Sequence, residues 1–171
     1  MRIHNINKTD PVQAGRSGRN MEIKLQTIGL VHSPVTEGVD HDWGEAVSQI
    51  HVDPAYTDGL QGLSDFSHCI VVFYMDRSSF DPETDLRRRP QGRADMPEVG
   101  IFSQRAKHRP NPIGITSVRI LSVEENILTV KGLDAIAGTP VLDIKPYFPI
   151  YDSKPEARTP EWVDLFMKDY F

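Results

Sequence analysis

The chain has a single cysteine, Cys69, so it offers no intrachain disulfide and no thiol pair for a zinc or redox centre. No apolar run approaches the roughly 18 to 20 residues that span a bilayer, and the N-terminus lacks the apolar core of a secretory signal. These absences predict a cytoplasmic protein with no membrane partner. The usual short fingerprints are also missing: no GxGxxG after a strand, no GxxxxGK, no GxSxG, no HExxH and no CxxC. The six histidines do not sit at ligand spacing, so no metal is expected. Positive charge is in short supply overall. A formal net charge of -5 argues against a protein that coats nucleic acid without regard to sequence.

What is present is one domain's worth of chain, 171 residues. Residues 1–20 hold few large apolar side chains and read as a flexible leader that contributes nothing to folding. Patterning begins at Met21. Glu22 to Gly29 alternates as a half-buried strand, and Ala46 to Val52 does so more weakly. Asp53-Pro54 opens one helical turn over Ala55 to Leu60. Cys69 to Met75 is continuously apolar and too short for a helix, which predicts a strand buried on both faces. Cys69 is then an inert core thiol, and His68 a hydrogen-bonded core residue. Further strands are expected over Val99 to Ser103, Ile113 to Val123, Ile127 to Leu133 and Val141 to Ile144, with a hairpin turn at Glu124-Glu125-Asn126. Thr159-Pro160 reads as the start of a C-terminal helix with Trp162, Leu165, Phe166 and Tyr170 on one face. Many short strands with one helix favour a mainly β, closed barrel over a doubly wound fold. The expected organisation is a barrel domain over 21–150 and a tail over 151–171.

Charge is unevenly distributed. Arg87, Arg88, Arg89, Arg93, Arg105, Lys107 and Arg109 face only Asp95 and Glu98 between them, the pattern of a small anion-binding footprint. Within it, Arg109-Pro110-Asn111-Pro112-Ile113-Gly114 stands out. Each proline fixes its own φ and pushes the residue before it out of the helical region, so Arg109 and Asn111 are held extended on a stiff elbow. Preorganised polar groups of this kind suit a reaction site. A second dense segment runs from Gly132 to Tyr147. Gly138 allows positive φ or close ligand approach, while Asp134, Asp143 and Lys145 need pairing or solvent beside an apolar strand. Trp43, alone in its loop, is either a lid over a bound ring or a core anchor.

The runs Arg109-Pro110-Asn111-Pro112-Ile113-Gly114, Gly138-Thr139-Pro140-Val141-Leu142-Asp143-Ile144-Lys145-Pro146-Tyr147 and Gly62-Leu63-Ser64-Asp65-Phe66-Ser67-His68 together resemble the TsaA-like, or TrmO, family. The resemblance extends in order from about Ile23 to Tyr147. It implies a single-sheeted β-barrel that binds S-adenosylmethionine near a homodimer interface and methylates N6 of threonylcarbamoyladenosine in tRNA. Transferred residue by residue, it implies cofactor contacts at Asp76, Arg77, Arg105, Ser117 and the segment Asp134, Ala135, Ile136, Ala137 and Gly138. Catalysis falls to Arg109, Asn111 and Asp143, with Asp134 the other candidate base, and substrate binding to Arg109, Lys145 and Tyr147. Ala137 stands where family members often carry Asp, so contacts there are to backbone. The loop Glu37 to Gly44 is shorter than in the longer tRNA-modifying members, and their extra C-terminal segment has no counterpart after Tyr147. Two alternatives follow: a methyltransferase of the same fold acting on another RNA position or a small-molecule acceptor, and a non-catalytic module that binds RNA or adenosyl ligands.

Overall fold

The computed structural model describes residues 22–39 and 41–171, apart from the side chain of Phe166. The leader expected over residues 1–20 lies outside them. Six antiparallel strands close into a barrel: β1 (Gly29–His32), β2 (Val47–Val52), β3 (His68–Tyr74), β6 (Ile113–Glu124), β7 (Ile127–Lys131) and β8 (Pro140–Pro146), in the order β1-β2-β7-β6-β3-β8. The expected mainly β barrel is therefore present. Closure removes exposed ladder edges, and the register is set by side chains that alternate between the interior and the outside.

Inward-facing Val31, Ile50, Val52, Cys69, Val71, Phe73, Val118, Leu128, Val130 and Val141 form the core with Leu60, Leu63, Leu133 and Ala135. Burial pushes the Cys69 thiol up to about 12, so it stays protonated at neutral pH as an inert core residue. Gly114 of β6 is required by packing, because a Cβ there would lie 2.2 Å from the Phe73 ring. The β6–β7 hairpin turns through Glu125 at φ 52°, and the Asn126 amide donates to the Val52 carbonyl at 2.7 Å, tying the turn to β2. Asp53 caps the turn Pro54–Leu60 by accepting from the Ala55 N–H at 2.9 Å, as its sequence implies.

Several expectations are corrected. Glu22 to Ile28 forms no strand: Ile23 and Leu25 are exposed, and the first strand starts at Gly29. Alternation alone does not supply the neighbouring strand that a ladder needs. The strand after Ser67 is buried on one face only, because Cys69, Val71 and Phe73 point inward while Ile70 and Val72 are half-buried outside. By the same parity His68 faces outward, with its ring on the Ser67 hydroxyl at 2.8 Å, rather than into the core.

Val99 to Ser103 does not join the barrel. Val99–Gly100 is strand β5, paired with β4 (Arg87–Arg88) in a separate two-stranded flap, and Ile101–Ser103 forms a 3₁₀ turn. Before the flap lies a single helical turn, α1 (Pro82–Asp85), and after β8 another, α2 (Pro149–Asp152). The C-terminal helix, α3, spans Glu161–Met167 with Pro160 rather than Thr159 in the capping position and no side-chain cap. Leu165 on it is exposed, and Tyr170 lies beyond its end.

Candidate active site

One rim of the barrel gathers the ends of β1, β3 and β7 and the beginnings of β2, β6 and β8, so residues far apart in sequence meet there. The loop after β1 and the segment before β8 are stitched together, with the Gly138 N–H donating to the Val31 carbonyl and the Ala137 N–H to the Val35 carbonyl, each at 2.8 Å. The elbow before β6 joins the loop after β3 through the Met75 N–H and the Pro112 carbonyl at 2.8 Å.

Arg77 bridges these loops. Its guanidinium donates to the Thr36 and Ala137 carbonyls at 3.3 Å each. Gly138 adopts φ +85°, and a Cβ there would lie 3.6 Å from Arg77 Nη2, so glycine both permits the turn and keeps the approach open. Arg105 donates to the Ile115 carbonyl in β6, and Arg109 to the Gln104 carbonyl at 3.4 Å. Lys107 lies against the loop after β1, with its amine 3.7 Å from where a Gly38 Cβ would be. His108 shares a hydrogen bond with the Ser79 carbonyl at 2.7 Å. None of Arg77, Arg105, Lys107 and Arg109 has a carboxylate partner among the described residues, whereas Asn111 stands exposed on the elbow beside them.

The carboxylates divide in the opposite sense. Asp134 accepts from the Thr116 hydroxyl through one oxygen and from the Tyr170 hydroxyl through the other at 2.9 Å. Asp143 accepts from the Ile144 N–H at 2.9 Å and pairs with Lys145 at 2.5 Å. Both candidate bases are thus occupied by donors. Asp76, expected as a cofactor contact, is exposed at the rim and has no side-chain partner among the described residues.

The backbone of the Asp134–Gly138 segment is incompletely used. Ala135 is buried, yet its N–H and that of Ile136 meet no acceptor among the described residues. Buried donors are normally paired, so these two are available to a ligand. Together with fixed guanidinium groups for a carboxylate and a glycine that leaves room for close approach, they fit an adenosyl amino acid, whose ring nitrogens accept hydrogen bonds and whose tail ends in a carboxylate.

Other expected site residues lie elsewhere. Ser117 is on the outer face of β6 opposite Ile70 of β3, and Lys145 faces outward beside Ile70 from β8. Tyr147, named with Arg109 for substrate, follows the far end of β8. The seven residues of β8 set that end roughly 20 Å from the rim at about 3.3 Å per residue. Trp43 is an anchor rather than a lid: it is 3% exposed and its indole donates to the Val39 carbonyl at 2.9 Å. Residues the sequence did not assign to the site are Thr36, Gln104 and Tyr170, the last of them expected only on the apolar face of the C-terminal helix. Gln104 carried a signal in hindsight, being a polar residue between an apolar turn and the basic run. Its carboxamide donates to the Arg88 and Val99 carbonyls at 2.9 and 3.1 Å, fastening both flap strands, while its own carbonyl receives Arg109. No group of three or more potential metal ligands occurs among the described residues, and no helix among them is long and apolar enough to cross a membrane.

Residues 38–153 match the family described as the tRNA-methyltransferase O N-terminal domain. An S-adenosyl-L-methionine-binding protein of Archaeoglobus fulgidus is 42% identical over 132 residues, which cover 75% of this chain and 91% of that protein. The human tRNA (adenine(37)-N6)-methyltransferase is 38% identical over 102 residues, 59% of this chain but 22% of its own length. Among solved structures, the crystal structure of TrmO from Pseudomonas aeruginosa superposes with a TM-score of 0.69 at 29% identity, covering 85% of this chain and 64% of that one. The chain thus spans nearly the whole of the archaeal relative and under two thirds of the bacterial structure.

Proposed function

This chain belongs to the tRNA-methyltransferase O family, and from that premise we propose that it methylates N6 of threonylcarbamoyladenosine in tRNA with S-adenosylmethionine as donor. The cofactor and the reaction class, an S-adenosylmethionine-dependent methyl transfer, come with the family. The acceptor rests on one observation in particular: Arg77, Arg105 and Arg109, held by backbone carbonyls, gather with Lys107 at a single rim, and none of the four has a carboxylate partner among the described residues. Such a cluster suits a substrate that brings both phosphates and the carboxylate of a threonyl group.

When bound, S-adenosylmethionine would supply an electrophilic methyl group, which passes to an aligned nitrogen as the carbon–sulfur bond breaks and the neutral thioether leaves. The chain's part is positioning. Arg77 and Gly138, with the free N–H groups of Ala135 and Ile136, form the cofactor side. Arg109 and Asn111, on the proline-locked elbow, orient the acceptor. The urea-like nitrogen must lose its proton as the new bond forms. Asp76, exposed at the rim with no side-chain partner among the described residues, would take it, whereas Asp134 and Asp143 hold donors already.

The protein acts as a homodimer through the outer face of β3 and β6. Ile70, Val72, Tyr74, Ile113 and Ile115 form a continuous apolar surface there, and Ser117 lies on it, so a cofactor contact at Ser117 would sit at the subunit boundary. The direct test is mass spectrometry of nucleosides after incubating the protein with S-adenosylmethionine and tRNA that carries threonylcarbamoyladenosine. A mass gain of one methyl on that nucleoside is expected. Transfer into another nucleoside or a metabolite extract would move the acceptor, and cofactor binding with no transfer would favour a binding module. For a true tRNA substrate, binding weakens with salt, by about 0.7 to 0.9 in log affinity per log salt for each phosphate contacted.

A further inference from the structure

The barrel end opposite the cationic rim carries a cluster of exposed rings that the proposed reaction does not use. Phe66 follows the 3₁₀ turn Leu63–Asp65, and Tyr147 to Tyr151 leave β8 into α2. Phe66 and Phe148 have ring centroids 5.8 Å apart, Phe148 and Tyr151 6.4 Å, and His68 and Tyr147 6.3 Å. The rings frame an open hollow of about 670 Å³ lined by Phe66, His68, Tyr147, Phe148 and Ile150 among others. Phe148 is 42% exposed and Tyr151 75%, so their faces are presented to solvent and not spent in the core.

The corner is also fixed in place. Asp152 accepts from the Phe148 N–H at 2.7 Å, the Tyr151 N–H donates to the Phe148 carbonyl at 2.8 Å, and Lys154 donates to the Tyr151 carbonyl at 2.7 Å. Lys154 has no carboxylate partner among the described residues. Arg119, opposite His68 in the β3–β6 ladder, is exposed and likewise without a partner among them. Of the nearby acids, Asp152 is turned onto the backbone, while Asp65 and Glu156 are exposed and without a side-chain partner among the described residues.

We propose that this corner is a stacking platform for unpaired bases of an RNA substrate, with Arg119 and Lys154 contacting the adjoining phosphates. The proposal rests on the reading of the protein as an RNA methyltransferase and extends it to a second contact about one barrel length from the reaction rim. Rigid aromatic faces flanked by uncommitted cations are what single-stranded nucleic acid binds, through ring stacking and charge. A second copy of the chain is the less suitable occupant, since the broad aliphatic surface that buries well between subunits lies on the β3–β6 face. The far rim would hold loop nucleotides on one side of the target base while Arg109 and Asn111 hold the target itself.

The test is fluorescence anisotropy of a labelled RNA hairpin with an unpaired loop against the full chain, together with methyl transfer into tRNA, S-adenosylmethionine calorimetry and sedimentation for each variant. Phe148→Ala and Tyr151→Ala are each expected to weaken RNA binding about tenfold. Arg119→Ala should lower the slope of log affinity against log salt by about 0.7. Cofactor affinity should be unchanged in all three, and Leu165→Ala, exposed on α3, should match the parent protein. Exposed rings leave the core intact on truncation, and circular dichroism checks that each variant is folded. If the parent protein binds and methylates RNA while the ring variants bind it equally well, the platform is refuted and the methyltransferase reading stands. If ring loss dissociates a dimer without changing RNA affinity, the surface belongs to a second copy. If the parent protein binds S-adenosylmethionine but no RNA, the RNA acceptor fails and the platform with it.

Discussion

Arginines occur in two neighbouring regions of the chain and do different work in each. In the flap, Arg87 pairs with Glu98 at 3.0 Å, Arg88 with Asp85 at 3.2 Å and Arg93 with Asp95 at 2.6 Å, while Arg89 is spent on the Met96 carbonyl. At the rim, Arg77, Arg105 and Arg109 are aimed by carbonyl oxygens and keep their full charge. A carboxylate partner neutralises a guanidinium, whereas a carbonyl orients it and leaves it able to bind an anion. The basic run read as one anionic footprint from Arg87 to Arg109 is therefore two objects: a flap in which Arg87, Arg88 and Arg93 are ion-paired, and a rim whose arginines are not.

Substitutions sharpen this division, and the largest effect is expected at the rim. S-adenosylmethionine at a hundredfold excess over its dissociation constant should stabilise the parent protein by about 2.7 kcal/mol through mass action. Arg77→Ala and Arg105→Ala should remove most of that thermal shift, Lys107→Ala should remove less, and Arg87→Ala should retain it. Equal loss in Arg87→Ala and Arg105→Ala, read by differential scanning calorimetry with and without cofactor, would erase the distinction.

Next in size is the joint between the two regions. Gln104 is almost fully buried and its carboxamide satisfies the carbonyls of Arg88 and Val99. Gln104→Ala leaves both acceptors without that donor and should destabilise the protein by about 1 to 3 kcal/mol in urea unfolding. It should also lower turnover, because the Gln104 backbone carbonyl that receives Arg109 is carried on the loosened turn. Asp76→Asn acts on rate and not on stability: turnover should drop by about 10² to 10⁴, the usual contribution of a general base, with stability unchanged since the carboxylate has no side-chain partner among the described residues to lose. An active Asp76→Asn enzyme would return the proton transfer to another group.

What the sequence made legible follows the same division between local and long-range determinants. Strands β2, β3, β6, β7 and β8 announced themselves because their alternation or apolar runs report a face that must be buried, and the proline-locked elbow did so because proline acts on its own backbone and its neighbour's. Closure into a barrel was favoured by strand count and by the resemblance. Three things were hidden. The sequence could not show that Glu22 to Thr27 form no strand and that only Ile28 meets the barrel backbone, through Val141 and Asp53, nor that Val99–Gly100 pairs with Arg87–Arg88 outside the barrel, because partner choice is a long-range property. It could not say which acid each arginine meets. It also could not reveal that Tyr170 reaches Asp134 across 36 positions and occupies the carboxylate proposed as a base. Site residues matched by family motif came together where they sit at one rim, as Arg77, Arg105, Arg109 and Gly138 do, and separated where a strand length intervenes, as for Tyr147.

The smallest effect tests the flap side of the comparison. The Arg93 guanidinium, hydrogen-bonded at 3.1 and 2.6 Å, holds the Asp95 carboxyl below its ordinary value of 3.8, and Asp95 in turn raises Arg93. A carboxyl depressed in the folded state stabilises above its unfolded value, and that contribution fades as pH falls through the folded one. The sign is therefore a loss on acidification below about pH 4, within the range of the unfolded Asp carboxyl. Both side chains are solvent-exposed, however, and water and salt screen such pairs until little stability remains in them. The expected outcome separates local from global effects. In carboxyl-detected NMR titration, Arg93→Ala should raise the Asp95 midpoint toward 3.8, while the urea midpoint at pH 7 and cofactor affinity stay at parent values. A rise in the Asp95 midpoint accompanied by loss of cofactor binding would mean that the flap pair supports the rim after all, and the two arginine groups would have to be treated as one site.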